Sequence, residues 1–237
     1  MTIKIEALTK IYHTAEAKVT ALAPTTLSFA DYSFTTIVGK SGCGKTTLLR
    51  LLAELEAPTA GAVSFGTKKP EIGFVFQEPR LMPWLTVAEN IAFATHKGGM
   101  SKEKLSQLLE ILGLSAFAGS YPAELSGGMA QRTALGRTLL QNPDIILMDE
   151  PFGALDYFTR KGLQETLLDL FRLERKTIIF VTHDVEEAIL LGERVLIMQK
   201  GRITGEIPVK LAYPRDPAAS EILSLRRQIL AGLEEKW

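Results

Sequence analysis

The stretch "FTTIVGKSGCGKTTLLRLLAEL", residues 34–55, passes from a β-branched run through three glycines into a leucine-rich helical pattern. Its centre, "GKSGCGKT" at residues 39–46, fits G-x-x-x-x-G-K-[ST] between a predicted strand and a predicted helix. In that context the glycines let backbone amides close around phosphate oxygens, and the helix N-terminus adds partial positive charge. The alternative is a glycine-rich turn that contains Lys-Thr by chance, but the flanking elements favour a phosphate loop.

The phosphate loop predicts a nucleotide site. We expect Lys45 to reach the β and γ phosphates and Thr46 to ligate Mg²⁺. We expect Cys43 to be a small filler within the loop. The candidate nucleotide-binding residues are Gly39, Lys40, Ser41, Gly42, Cys43, Gly44, Lys45, Thr46 and Thr47.

Strand and helix patterns alternate along the rest of the chain. "IKIEALTKIY" (3–12) alternates apolar and polar residues, which indicates an edge strand with one wet face. "PEIGFVFQEP" (70–79), "PDIILMDEP" (143–151) and "KTIIFVTHD" (176–184) are short apolar runs, and residues 87–140 are mostly helical in pattern. These features predict an α/β fold with a mainly parallel core sheet and an inserted helical segment.

Composition limits the class of protein. The 237 residues suffice for one large α/β domain, and 27 basic residues balance 27 acidic ones, which disfavours nucleic acid as a partner. The single cysteine excludes an intramolecular disulfide, and the N-terminus lacks the apolar segment of a signal peptide. No window approaches eighteen apolar residues. We therefore expect a cytosolic protein, whose role in transport would need separate membrane subunits.

Two acids follow the strand pattern "IILM". We expect Asp149 to hold Mg²⁺ and Glu150 to polarise an attacking water as general base. Two solvated acids at a strand end are the alternative, which the phosphate loop disfavours.

Two more polar residues end predicted strands. His183 is expected to contact the γ-phosphate, although a lone histidine is more often structural. Gln77 carries an amide that both donates and accepts, which suits a residue that senses metal and water. We expect these strand ends to converge with the phosphate loop on one site, with Glu150, His183, Gln77 and Lys45 as its catalytic residues.

"LSGGMAQR", residues 125–132, predicts a second anion site. Ser126 is a candidate N-cap, and the two glycines after it are costly in a first helical turn unless the backbone must approach something closely. An ordinary helix start is the alternative.

Together these motifs resemble those of the ATP-binding subunit of ABC transporters, over essentially the whole chain. Residues 39–46 are similar to the family's Walker A motif, Gln77 to its Q-loop and residues 125–132 to its signature motif. "IILMDE" is similar to its Walker B motif, "GALD" at 153–156 to its D-loop and His183 to its switch histidine. The resemblance implies a P-loop NTPase fold in a single domain over residues 1–237, with N-terminal antiparallel strands and a helical subdomain at about 78–142.

The resemblance also implies a head-to-tail homodimer. Ser126, Gly127, Gly128 and Asp156 of one copy would close over ATP and Mg²⁺ held by the other. Tyr12 matches the place of an aromatic residue that stacks on adenine in this family, with a plain core or surface tyrosine as the alternative.

Finer detail, in "FVFQEPRLMPWLTVAEN" and "MDEPFGALDYFTR", is similar to the importer branch for nitrate, aliphatic sulfonates and taurine, with related members for pyrimidine vitamin precursors. The implied partners are transmembrane permease subunits at the cytoplasmic face of the membrane and, indirectly, an extracytoplasmic solute-binding protein. The ATPase of an exporter or a cell-division complex is the alternative. A chromosome-maintenance clamp and a small-molecule kinase fit less well, because the first needs long coiled-coil arms and the second lacks the signature motif.

The apolar residues Leu81, Met82 and Trp84 follow Gln77 on a proline-bracketed loop. The resemblance implies that they form part of a socket for a permease helix, whereas the alternative is that Trp84 pins the helical insertion to the core.

Gly136 stands where these importers usually have alanine, and we expect it to loosen the helix that follows the signature motif. Lys40 replaces their usual proline, and its charge could alter phosphate affinity.

The C-terminal pattern places Ile222, Leu225, Ile229, Leu230 and Leu233 on one helical face. We expect this helix to dock on its own domain rather than on a second copy.

Overall fold

The computed structural model describes residues 2–13, 17–66, 69–93, 102–153 and 155–234. Its strands are β1 (Ile3–His13), β2 (Lys18–Phe29), β3 (Phe34–Val38), β4 (Ala60–Ser64), β5 (Ile72–Val75), β6 (Ile145–Asp149), β7 (Thr177–Thr182), β8 (Arg194–Gln199) and β9 (Arg202–Pro208). Its helices are α1 (Lys45–Leu52), α2 (Val87–Ala92), α3 (Lys102–Ile111), α4 (Gly127–Leu140), α5 (Tyr157–Glu174), α6 (Val185–Leu191) and α7 (Ser220–Glu234). The chain divides into a first unit, Met1–Pro70 with Arg175–Trp237, and a second unit, Glu71–Glu174.

The first unit contains an antiparallel sheet in the order β2-β1-β4. The prediction of antiparallel N-terminal strands is confirmed, but β1 is the central strand of this sheet, so its prediction as an edge strand was wrong. Alternating polarity shows that one face of a strand meets water, and a central antiparallel strand satisfies that condition as well as an edge strand does. A bulge after Ile5, where Ala7 has φ 46°, also shifts the pattern.

The first unit also contains strands in the order β7-β3-β8-β9, of which β7, β3 and β8 are parallel and β9 is antiparallel. Every residue of β3 and β7 is buried, as expected for continuous apolar runs covered on both faces. The register pairs Val38 with Thr182, so β3 and β7 end level with each other. The loops that follow these two strands therefore leave the same edge.

Helix α7 docks on the first unit, as predicted. Ile222 and Ile229 are buried in a cluster with residues of β3, α6 and β8, and Leu225 and Leu233 pack against that cluster. Leu230 is 38% exposed and departs from the predicted face.

The second unit pairs β5 with β6 in parallel and carries helices α2 to α5. Strand β6 is buried throughout, which agrees with its continuous apolar sequence. Helices α2, α3 and α4 lie within the predicted insertion, although residues 94–101 fall outside the described ranges. The insertion at 78–142 as a separate subdomain of a single 1–237 domain stays a prediction.

Gly136 lies where α4 packs closely against Leu112 and Ile91. A Cβ at this position would stand 2.6 Å from Leu112 Cδ1 and 3.1 Å from Ile91 Cδ1. Leu112 and Ile91 are 1% and 0% exposed, so their methyl groups fill the space that alanine would need. The glycine therefore permits tight helix packing, and the expectation that it loosens the helix stays a prediction.

Candidate nucleotide and partner sites

The loop at residues 39–46 joins β3 to α1 and folds around its own lysine. Lys45 is 4% exposed, and its Nζ donates to the carbonyl oxygens of Gly39 at 2.8 Å and Lys40 at 3.2 Å. Gly44 has φ 108°, and a Cβ there would stand 2.2 Å from the carbonyl oxygen of Ala21. Only glycine fits that position, so the sequence fixes the backbone path of the loop.

Helix α1 begins at Lys45, which places Thr46 and Thr47 in its first turn. The amide groups and the dipole of this turn favour an anion beside the loop. Cys43 is buried, and its carbonyl oxygen accepts from Gly201 N at 2.8 Å, in agreement with a filler role. The loop thus combines a buried ammonium group with a helix N-terminus, an arrangement suited to phosphate.

His183 lies next to the phosphate loop in the first unit. It directly follows β7, and the Val38–Thr182 pairing brings it to the sheet edge from which the loop leaves. Its side chain is exposed. Asp184 begins α6 by accepting from Glu186 N at 2.9 Å and Glu187 N at 3.2 Å, which holds the turn that carries the histidine.

Gln77, Asp149 and Glu150 lie at one edge of the strand pair in the second unit. Val75 pairs with Met148, so Gln77 and the two acids follow neighbouring parallel strands at one edge. Asp149 is 5% exposed, and Glu150 has φ 44°, a conformation uncommon for a residue with a side chain. The predicted site residues therefore form two groups, one in each unit.

Tyr12 is held by its hydroxyl group on the first unit. The hydroxyl donates to Glu56 Oε2, and Lys10 Nζ stands 5.1 Å from the ring centroid. Burial, followed by the hydrogen bond to Glu56, raises the pKa of Tyr12. Burial alone would raise the pKa of Glu56, but hydrogen bonds from Tyr12 and Arg50 and the charge of Lys10 together lower it. This network fixes the direction of the half-buried ring.

Ser126 begins α4 as predicted. Its Oγ accepts from Met129 N at 3.2 Å, which caps the helix, and both Ser126 and Gly127 are exposed. Gly128 lies against α5 and its preceding turn, because a Cβ there would be 3.4 Å from Leu155 Cδ2 and 3.6 Å from Thr159 Cγ2. The signature residues and the turn before α5 thus form one surface of the second unit.

Asp156 ends that turn and caps α5. Its Oδ1 accepts from Thr159 N at 3.0 Å, and the hydrogen bonds from Thr159 lower the pKa of its carboxyl group. Ala154, in the predicted D-loop, lies outside the described residues.

The phosphate loop, Gln77, the two acids at 149 and 150 and the capped Ser-Gly-Gly turn all lie within the residues that one family model matches. The model for "ABC transporter" matches residues 22–153, more than half of the chain. The chain belongs to the ABC transporter family. It is an ATP-binding subunit of that family, and its activity is ATP hydrolysis coupled to transport.

Similar proteins extend the match over nearly the full length. This ABC subunit is 42% identical to the aliphatic sulfonates import ATP-binding protein SsuB of Bacillus subtilis, with 99% of this chain and 95% of the relative covered. It is 46% identical to SsuB 2 of Pseudomonas syringae pv. tomato, over 91% of this chain and 93% of the relative.

The fold of the subunit is that of solved ATP-binding cassettes. It matches a dimeric structure of the cassette MJ0796, in a post-hydrolysis state bound to ADP and Pi, with a TM-score of 0.82 and 34% identity. The match covers 89% of this chain and all of that one. The predicted P-loop NTPase fold is confirmed.

The predicted partner-contact loop, residues 81–84, belongs to the second unit of the ABC subunit. Trp84 is 69% exposed, whereas Leu81 and Met82 are half-buried. This exposure excludes the alternative that Trp84 pins the insertion to the core. None of the helices in the described ranges is long and apolar enough to cross a bilayer.

Sequence analysis did not predict two structural features near these sites. Asn90 is fully buried, and its side chain bonds the backbone of the partner-contact loop. A polar residue on the apolar face of "VAENIA" was the available signal. Tyr157 and Phe158 are 67% and 82% exposed, and their rings meet edge to face at 5.4 Å directly after Asp156. No periodicity in the sequence distinguishes this pair from ordinary helix residues.

Proposed function

We propose that the chain is the ATPase of an importer for aliphatic sulfonates, which acts through separate transmembrane permease subunits. The observation that carries the proposal is the 42% identity to a sulfonate-import ATP-binding protein over 99% of this chain. In this proposal the subunit lies on the cytoplasmic face of the membrane, and an extracytoplasmic protein delivers the solute. Nitrate, taurine and pyrimidine precursors are the other cargoes of the resembled branch.

We propose that the strand-end residues of each unit take part in the binding and hydrolysis of ATP. In the first unit, Lys45 would bind the β and γ phosphates and His183 would contact the γ-phosphate. In the second unit, Glu150 would polarise the attacking water. The likeness to a cassette bound to ADP and Pi, over 89% of this chain, supports this assignment.

The residues proposed for Mg²⁺ suit that ion. Thr46, Gln77 and Asp149 offer hydroxyl, amide and carboxylate oxygens, and Mg²⁺ prefers oxygen ligands. When bound, Mg²⁺ would neutralise developing charge on the phosphates. Tyr12, whose hydroxyl is anchored by Glu56, would stack on the adenine base.

We propose a head-to-tail dimer in which Ser126, Gly127 and Gly128, with Asp156, complete the ATP site of the other copy. The exposure of Ser126 and Gly127 supports this role, because a capping turn that meets a phosphate in trans must be accessible. The exposed Tyr157–Phe158 pair beside Asp156 adds apolar area to the same face.

The catalytic part of the proposal is tested with Glu150→Gln. Loss of the general base should slow phosphate release by more than about 100-fold, while ATP binding is retained. The measurements are steady-state phosphate release and binding of a fluorescent ATP analogue. Glu165→Gln, an exposed position on α5, is the matched control and should behave as wild type. A Glu150→Gln chain that hydrolyses ATP at the normal rate would remove the general-base assignment.

The cargo is tested in the host cell. Deletion of the gene should abolish growth on an alkanesulfonate as sole sulfur source and leave growth on sulfate intact. The wild-type gene should restore growth on the sulfonate, and the Glu150→Gln gene should not. Normal sulfonate growth of the deletion strain would contradict this cargo.

A further inference from the structure

Side chains from two helices hold residues 76–86, the segment that includes Gln77 and the partner-contact loop. From α4, Gln131 Nε2 donates to Phe76 O at 3.1 Å. From α2, Asn90 accepts from Met82 N at 2.8 Å and donates to Leu85 O at 2.9 Å. Gln131 and Asn90 are 3% and 0% exposed. Both ends of the segment are therefore attached to helices of the second unit.

Arg137 of α4 holds the middle of the same segment. Its Nη2 donates to Pro79 O at 2.9 Å and its Nη1 to Arg80 O at 3.0 Å. Arg80 has φ 47°, and its guanidinium group lies 4.2 Å from the Phe76 ring centroid. Two parallel bonds from one planar group restrain both the position and the angle of this turn.

Arg137 makes this contact without a carboxylate. Among the described residues no ion pair involves it, and burial lowers the pKa of its guanidinium group. A half-buried cation costs free energy unless its hydrogen bonds are made. The two carbonyl bonds therefore keep the turn at residues 79–80 attached to α4.

The position of Arg137 connects three predicted sites. Its helix begins at the signature residues, the segment that it holds starts beside Gln77, and that segment continues into Leu81, Met82 and Trp84. We infer that Arg137 is a positioning residue that transmits movement of helix α4 to the partner-contact loop. The inference rests on the proposed function, because it needs both the ATP-dependent dimer and the permease contact.

Hydrogen–deuterium exchange tests the inference on the full-length chain. In Glu150→Gln with ATP and Mg²⁺, exchange should slow at residues 126–130 and at residues 80–86. Adding Arg137→Gln should keep the ATP-dependent protection at 126–130 but remove it at 80–86, where exchange should rise at least tenfold. Arg137→Lys, which keeps the charge but not the two-pronged geometry, should give an intermediate value and covers the case in which the glutamine variant does not fold.

Thr138→Val is the matched control. Thr138 lies on the same helix, but its Oγ1 donates to Phe74 O at 3.3 Å and does not bond the 76–86 segment. This variant should leave the ATP response at residues 80–86 in place, which separates positioning by Arg137 from general loosening of α4.

Two results would overturn the inference in different ways. If ATP protects residues 126–130 and the response at 80–86 persists in Arg137→Gln, Arg137 does not position the loop, and the proposed function stands. If ATP fails to protect residues 126–130 in Glu150→Gln itself, the proposed dimer is wrong and the inference falls with it.

Discussion

Tyr213 and Arg215 show how much one pair of side chains contributes at the end of a helix. Arg215 Nη1 donates to the carbonyl oxygens of Ile189 and Gly192 at 2.6 Å each, at and beyond the end of α6. The Tyr213 hydroxyl donates to Leu191 O, and the guanidinium group of Arg215 lies 4.1 Å from the Tyr213 ring centroid. The carbonyls that end α6 are thus satisfied by side chains, which steadies the helix that follows His183.

Burial raises the pKa of Tyr213 from 10.0 to about 12, despite the opposing charge of Arg215. Because the folded chain holds this proton more tightly, the stabilisation is complete below pH 10 and is lost as the pH rises through 12. One pKa unit corresponds to about 1.4 kcal/mol, so between these pH values wild type should lose up to about 3 kcal/mol more unfolding free energy than Tyr213→Phe. Urea unfolding at pH 9 to 12 measures this difference. Tyr121→Phe, at an exposed position, should follow wild type, and parallel curves for wild type and Tyr213→Phe would contradict the prediction.

Helix α4 packs against α2, α3 and β5 of the second unit. Its first turn carries the signature residues, Gly136 lets it approach Leu112 and Ile91, and Thr138 Oγ1 donates to Phe74 O at 3.3 Å. Its start was predictable, because a Ser-Gly-Gly cap is a local signal. Its packing was not predictable, because the space around Gly136 depends on residues 24 and 45 positions away in the sequence.

Gly136→Ala should lower the free energy of unfolding by about 1 kcal/mol, because overpacking costs about 1–3 kcal/mol and alanine regains up to about 1 kcal/mol of helix propensity. Gly162→Ala on α5 is the matched control, since a Cβ there meets nothing within 4 Å. It should raise stability by about 0.5–1 kcal/mol. Denaturant unfolding measures both variants, and equal stabilisation by the two would show that α4 has room at Gly136.

At the scale of the whole molecule, the structural features that depend on local sequence patterns were predictable from the sequence. The phosphate loop, the buried strands before Asp149 and His183, and the α/β class all follow from short motifs and periodicity. The central position of β1 was missed because polarity within a strand does not identify its neighbours. Asn90 and Arg137 were missed as well, since a side chain that bonds a distant backbone leaves no periodic trace.

The exposed Trp84 should be the main anchor for the permease. Truncation of a central aromatic residue at an interface typically costs about 2 kcal/mol or more, so Trp84→Ala should reduce recovery of permease with the tagged chain by at least about tenfold. ATP binding and thermal stability should stay near wild type, because Trp84 is 69% exposed. The measurement is copurification from the native membrane in mild detergent. Leu173→Ala, at an 82% exposed position of the same unit, should retain the permease. A Trp84→Ala chain that keeps its permease, or that loses stability, would contradict the anchor role.

The way in which residues 76–86 are held determines how the ATPase can be adapted to a different permease. Asn90, Gln131 and Arg137 all bond main-chain atoms of the segment, and almost every residue type supplies those atoms. The side chains at positions 81, 82 and 84 therefore take no part in these hydrogen bonds. Replacing these three residues should adapt the same ATPase to another permease without redesign of its scaffold.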